Sequence, residues 1–163
     1  MLEMVAPQKE DGVALADLIR RCEPLEPNTT YAYLLFCTHF ADTCVLARDE
    51  EGLLGAIVGY CPPTKPDAVF VWQIAVDARG RGQGLGSRML AALVDRLQSR
   101  GVRYLEATVA PSNTASDRLF RGFAKKRGCP LERTDYFTED LFGAGAHEPE
   151  YLYRIDLGGG KSN

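Results

Sequence analysis

The sequence predicts an α/β fold in which helices pack on a sheet, and three observations carry that expectation. Short runs of β-branched and aromatic residues alternate with stretches whose apolar residues recur at helical spacing. The 163 residues are 45% hydrophobic and 25% charged, which suits one domain with a buried core. No internal repeat or linker breaks the alternation. Residues 1–157 therefore read as a single domain, and 158–163, GGGKSN, as a polar, flexible tail.

Residues 3–6 suit a short strand. Asp11 precedes the stripe Leu15, Leu18, Ile19 and Cys22, so Asp11 or a neighbour is expected to cap a helix, which Pro24 and Pro27 end. The aromatic-rich segment 28–41 is expected to be helical in part. TCVLARD and LLGAIVGYC, split by EEG at 50–52, read as a hairpin. AVFVWQIAVD, 68–77, is rich in strand-forming residues. A helix follows over about 85–100, burying Leu90, Leu93, Val94 and Leu97 and stopping at Gly101. Then come a strand at 102–109, a helix opened by Pro111 and Asn113 and running to Lys126, a strand from Leu131, an irregular loop, and a last strand, EYLYRIDL.

Net charge is −3, which argues against a nucleic-acid partner, since phosphate binding needs a basic face. The five cysteines lack metal-type spacing and are odd in number, as expected for reduced thiols in a cytoplasm. Two histidines leave no cysteine–histidine metal cluster to assemble, so no metal is expected. The first residues lack the pattern of a signal peptide, and no stretch is long enough to span a membrane.

Glycines at 80, 82, 84 and 86 stand at every second position between a strand and a helix. Such a junction leaves main-chain N–H groups unshielded beside the partial positive charge of a helix N-terminus, an arrangement that seats anions. The dinucleotide fingerprint fails, because its sixth position falls on Leu85, Ser87 or Met89. The phosphate-binding loop ending in Lys-Ser/Thr fails at Arg88, and the GKS at 160–162 lacks the earlier glycine and a following helix. A plain surface turn is the bland alternative.

Arg81, Gly84 and Gly86, with strand and helix in place, resemble the pyrophosphate loop of the GNAT acetyltransferase superfamily. ATVAPSNTASDRLFRGFA resembles that superfamily's second cofactor segment, in which Asn113 would open a helix beside the pantetheine arm. Asn113 also reads as a simple N-cap. Many members carry a tyrosine where Phe120 stands; Phe120 cannot protonate a departing sulfur, which then leaves as a thiolate or takes its proton from another tyrosine or a water. LEPNTTYAYLLFCTHFADTCVLA, VFVWQIAVD, ATVAPSNTASDRLF and HEPEYLYRI together resemble the L-2,4-diaminobutyrate N-γ-acetyltransferases of ectoine biosynthesis, over nearly the whole chain. Glu26 departs from the aspartate expected there. The resemblance implies a central mixed, mostly antiparallel twisted sheet flanked by helices, and acetyl transfer from acetyl-CoA to the γ-amine. It also implies a homodimer in the cytoplasm of an osmoadapting bacterium. The cofactor-binding residues it implies are Ile74, Ala75, Val76, Arg81, Gly82, Gln83, Gly84, Leu85, Gly86, Ser87, Asn113 and Phe120. The amides at 74–76 would meet the thioester carbonyl as it gains charge.

The γ-ammonium must lose a proton before it attacks. Glu26, Glu148 and Glu150 are each candidates for base or for ammonium clamp, and His147 is a candidate base or a merely solvated loop residue. Trp72, which regular strand geometry places on one face with Phe70 and Ile74, reads either as core or as a pocket wall covering an ammonium group. Thr29, Tyr33 and Glu26 are further substrate-side candidates. Tyr31 and Tyr33 cannot share one helical face, and Tyr31 is the one expected in the pocket, as a catalytic candidate. Arg79 and Arg81 are expected on phosphate. Two other readings stand beside this one: acetylation of another small amine or a protein N-terminus, and a non-catalytic acyl-CoA sensor, against which Trp72, Tyr31 and the paired glutamates weigh.

Overall fold

The computed structural model describes residues 1–158; the rest of the tail, with the GKS tripeptide, lies outside the described residues. In chain order the elements are β1 (Glu3–Val5), α1 (Gly12–Arg21), α2 (Thr30–His39), β2 (Val45–Asp49), β3 (Gly52–Tyr60), β4 (Ala68–Val76), α3 (Leu85–Gln98), β5 (Tyr104–Val109), α4 (Thr114–Lys126), β6 (Leu131–Phe137) and β7 (Glu150–Asp156). The strands form one sheet in the order β1-β2-β3-β4-β5-β7-β6. Only β4 and β5 run parallel, so the sheet is mixed and mostly antiparallel, as the resemblance implies.

Helices cover both faces. On one, α3 and α4 bury Met89, Leu90, Leu93, Val94, Leu97, Phe120 and Phe123 against Val69, Val71, Leu105 and Ile155. On the other, α1 and α2 bury Leu15, Leu18, Ile19, Tyr33 and Cys37 against Leu46, Ala56, Val58 and Ala75. Each fully buried Leu or Ile side chain contributes about 1.5–3 kcal/mol relative to exposure, so the two layers hold the sheet from both sides. Gly101, at φ +89°, ends the turn after α3 as its position predicts.

Asp11 departs from expectation. Its carboxylate accepts from the Gln8 N–H at 2.7 Å and so closes the turn before α1 instead of capping α1. A second departure positions the site. The pairing of β3 with β4 slips between Val58↔Gln73 and Gly59↔Val71, which leaves Trp72 as the extra residue of a β-bulge. The bulge breaks the two-residue alternation. Trp72 and Gln73 both face α2, and Ile74 joins Val71 on the α3/α4 face. The expected common face of Trp72 and Ile74 is thus wrong, because sequence periodicity assumes an unbroken pleat.

Candidate active site

Beyond the bulge the sheet opens. β4 pairs with β5 from Ala68↔Tyr104 only as far as Val71↔Ala107. From there 73–76 pair with β3 alone, while β5 keeps its pairing with β7. The backbone edge of β4 facing the gap is left without a strand partner, and groups on such an edge seek an acceptor or donor elsewhere.

Two cavities meet in this opening. One, of about 510 Å³, lies between the open end of β4 and the start of α4, with Ile74, Ala110, Asn113, Ser116 and Phe120 in its wall. The other, of about 460 Å³, lies on the α2 side and is walled by Tyr60, Phe70, Tyr136, Phe137 and Phe142. Leu25, Glu26, Trp72, Thr108, His147 and Glu150 line both, so the two chambers share one wall.

The glycine junction lies at the start of α3. Gly84 sits at φ +66°, a left-handed conformation that favours glycine, and no side chain caps the helix there. The first intrahelical bond runs from the Arg88 N–H to the Gly84 carbonyl, and the N–H groups of Leu85, Gly86 and Ser87 have no partner among the described residues. By contrast, Thr29 caps α2 by accepting from the Ala32 N–H at 3.1 Å, and Asn113 caps α4 by accepting from Ser116 at 3.1 Å. At Gly86 a Cβ would come within 3.2 Å of Leu119, so this glycine lets α4 approach α3. Gly82 is exposed, and Gln83 folds back to donate to the Arg79 carbonyl at 3.2 Å. Arg81 is exposed and forms no ion pair among the described residues. Arg79 does not fit the expected phosphate role. Its guanidinium is held by Glu51 at 3.0 Å, Asp49 at 3.2 Å and Asp77 at 3.4 Å, all on elements flanking the loop. Ala75 is buried against the α1/α2 layer, and Val76 packs on the opposite core.

The substrate-side candidates separate. Glu150 is half-buried at the start of β7, where its Oε1 accepts from the Thr108 hydroxyl at 3.2 Å. Burial lifts its pKa above the ordinary carboxylate range; the Thr108 hydroxyl and His147 pull the other way, and Glu148 adds to the rise. Glu148 lines only the α4-side cavity and accepts from the Ser112 N–H and hydroxyl, pinning the loop that leads into α4. His147 stacks on Phe142 with ring centroids 4.2 Å apart. Glu26 reaches both cavities, while its carbonyl accepts from Gln73 Nε2 at 2.9 Å.

Tyr31 and Tyr33 do part ways, but neither lines a cavity: Tyr31 misses the pocket it was expected to reach, and Tyr33 is a core residue and not a substrate contact. Tyr31 is 69% exposed and is absent from the wall of either cavity. Tyr33 is fully buried, donates to Gln73 Oε1 at 2.9 Å, accepts from the Asn28 N–H and stacks 6.4 Å from Trp72. The physical reason is the bulge, which turns Gln73 inward and offers the Tyr33 hydroxyl a buried partner. Thr29 caps α2 and lines neither cavity. Trp72 remains 37% exposed and stacks on Phe36 at 5.4 Å, so it walls the pocket.

Sequence reasoning passed over several lining residues, among them Gln73, Thr108, Lys65 and Glu106. Glu106 is 1% exposed. Its Oε1 accepts from Lys65 Nζ at 3.2 Å, and Arg154 Nε stands 3.6 Å from Oε2, which has no hydrogen-bond partner among the described residues. The available signal was a glutamate amid the apolar residues of a strand flanked by others.

A parallel strand pair that splays open onto a cavity, together with an uncapped glycine-rich helix start, fits an acyltransferase architecture. The profile of the acetyltransferase (GNAT) family matches residues 13–124, and the chain belongs to that family. The L-2,4-diaminobutyric acid acetyltransferase of Streptomyces coelicolor is 46% identical over 156 residues, covering 94% of this chain and 92% of that one. The enzyme of the same name from Marinococcus halophilus is 44% identical, over 91% and 86%. A solved structure of diaminobutyrate acetyltransferase EctA from Paenibacillus lautus, in complex with its substrate L-2,4-diaminobutyric acid and coenzyme A, superposes with a TM-score of 0.89 at 37% identity, covering 96% of this chain and 95% of that one. Within the GNAT family, the chain belongs with the L-2,4-diaminobutyric acid acetyltransferases.

Proposed function

We propose that this protein transfers the acetyl group of acetyl-CoA to the γ-amine of L-2,4-diaminobutyrate, the ectoine-forming branch of diamine acetylation. The observation that carries the reading is Glu150, a half-buried carboxylate of raised pKa in the wall common to both cavities. A base must reach the amine while the amine reaches the thioester, and a shared wall places it there.

The fit to each substrate follows from the residues. The free N–H groups at 85–87 and the adjacent Arg81 suit a diphosphate, and the opening beside β4 suits an extended arm lying against a strand edge. Acetyl-CoA supplies an activated carbonyl and a leaving thiolate. Edge amides of 74–76 suit an oxygen that gains negative charge. The α2-side cavity carries Glu26 and Glu150 among aromatic rings, which suits a doubly cationic acceptor. Glu150 takes a proton from the γ-ammonium and passes it to solvent, the neutral amine attacks the carbonyl, and the carbon–sulfur bond breaks as the attacking nitrogen gives up its second proton to water. Phe120 has no proton to give; a thiol pKa of about 8.5 lets the sulfur depart as a thiolate near neutrality and take its proton from water. Trp72 shields the ammonium from bulk water. Glu148 holds the loop that carries Asn113.

Reduced free thiols support a cytoplasmic setting, and the exposed edge strand β6 offers a surface for a second copy in a homodimer. The experiment is NMR and mass spectrometry of the product after incubation with acetyl-CoA and L-2,4-diaminobutyrate. N-γ-acetyl-diaminobutyrate is expected. A product acetylated solely on the α-nitrogen, or no product while spermidine or a peptide N-terminus reacts, overturns the reading.

A further inference from the structure

The acceptor just proposed carries a carboxylate as well as two amines, and the acceptor cavity is mostly acidic. Among the described residues lining it, Lys65 is the sole permanent cation. Its Nζ donates to Glu106 Oε1 at 3.2 Å and stands 5.2 Å from the centre of the Tyr136 ring, and both partners belong to the same cavity wall. An ammonium has three donors, so this contact leaves others free toward the cavity. Glu106 is buried to 1% exposure and meets a second cation, Arg154, at 3.6 Å on the far side. One carboxylate thus faces two cations, Lys65 from the cavity and Arg154 from outside it, so Glu106 does not fully cancel the Lys65 charge.

Resting on the acceptor reading above, we propose that Lys65 receives the α-carboxylate of diaminobutyrate and that Glu106 is the residue that positions it. The register of β5 then accounts for the choice of nitrogen. Glu106 and Thr108 lie two residues apart on one strand, on the same face, separated by about 6.6 Å of strand rise. Thr108 holds Glu150 at 3.2 Å. An extended chain of four bonds from carboxylate carbon to γ-nitrogen spans roughly 5 Å. A substrate anchored at Lys65 therefore presents its γ-nitrogen at Glu150. Its α-nitrogen stays beside Lys65 and Glu106, away from the shared wall.

The test compares L-2,4-diaminobutyrate with 1,3-diaminopropane, which has the same two amines and no carboxylate. In Lys65→Met, KM for diaminobutyrate should rise about tenfold or more, with kcat within a few-fold, as expected for loss of a charge-assisted contact. The preference for diaminobutyrate over diaminopropane in kcat/KM should fall by a similar factor, and α-acetylated product should become detectable. Lys65→Arg should recover most of the preference, because the charge is kept. A KM within twofold of the parent, or an equal loss for both acceptors, overturns the assignment, since a merely structural ion pair would act that way. If the parent acetylates diaminobutyrate and Lys65→Met matches it, only the Lys65 assignment falls. If the parent leaves diaminobutyrate unreacted, the acceptor reading falls first and takes this one with it.

Discussion

Residues 68–71 and 72–76 belong to one strand but have different surroundings. The first stretch is bonded to β5 along its whole length and to β3 as well at Phe70 and Val71, and its Val69 and Val71 are buried in the α3/α4 core. The second keeps β3 and has lost β5, and its Trp72 stands in a cavity wall. The amino-acid types barely change across the boundary; both halves are apolar and strand-forming. What changes is the number of neighbouring strands. The closed half stabilises the fold, and the open half leaves the backbone edge and space that acyl transfer needs.

Substitutions on either side should divide activity from stability. The largest effect is expected at the open end. Glu150→Gln should lower kcat by about 10²–10⁴-fold, the usual range for a lost general base, with a melting temperature close to that of the parent. In the closed half the pattern should invert. Leu105 is fully buried between Val69 and Ile155, so Leu105→Ala should cost about 2–5 kcal/mol in chemical denaturation, while kcat/KM of the folded protein stays within a few-fold. At the boundary both should suffer. A Cβ at Gly59 would lie 2.7 Å from the Phe70 carbonyl oxygen and 3.1 Å from that of Thr43, so Gly59→Ala should cost about 1–3 kcal/mol and raise KM for both substrates by shifting the bulge.

The smallest change is one of pH dependence. Glu150 must be ionised to take a proton, so its raised pKa moves the acid limb of the rate profile above that of an ordinary carboxylate. The Thr108 hydroxyl favours the ionised form. Thr108→Val should therefore move the limb further up in pH, as read from kcat/KM across the acid range. The sign for stability runs the same way. A carboxyl whose folded pKa is raised favours the folded state below its unfolded pKa, and that contribution is lost as pH rises through the folded value. A limb unmoved by Thr108→Val would detach Glu150 from the chemistry.

The closed half was legible in the sequence, and the open half only partly. Alternating and apolar runs located the strands, and helical spacing found the buried face of α3, because burial leaves a periodic trace. Asn113 was legible as an N-cap, and it does cap α4 while lining the α4-side cavity. The bulge left no such trace. VFVWQIAV reads equally well with or without an extra residue, and that one residue decides which way Trp72, Gln73 and Ile74 point. The sequence likewise did not show that Tyr33 bonds the buried Gln73 side chain in the core while Tyr31 stays in solvent. Arg79 looked like a phosphate ligand because the carboxylates that hold it, Asp49 and Glu51, lie far away in sequence. Lys65 and Glu106 are likewise 41 positions apart, so only the parallel pairing of β4 with β5 brings them together.

The partition common to the two chambers also bears on inhibition. A single compound carrying a diamine at one end and a pantetheine-like tail at the other could thread through the junction and occupy both halves. Once either end had docked, the tether would hold the other at a high local concentration. Such a hybrid should bind more tightly than either fragment alone, with the optimum linker reporting how far apart the two ends sit.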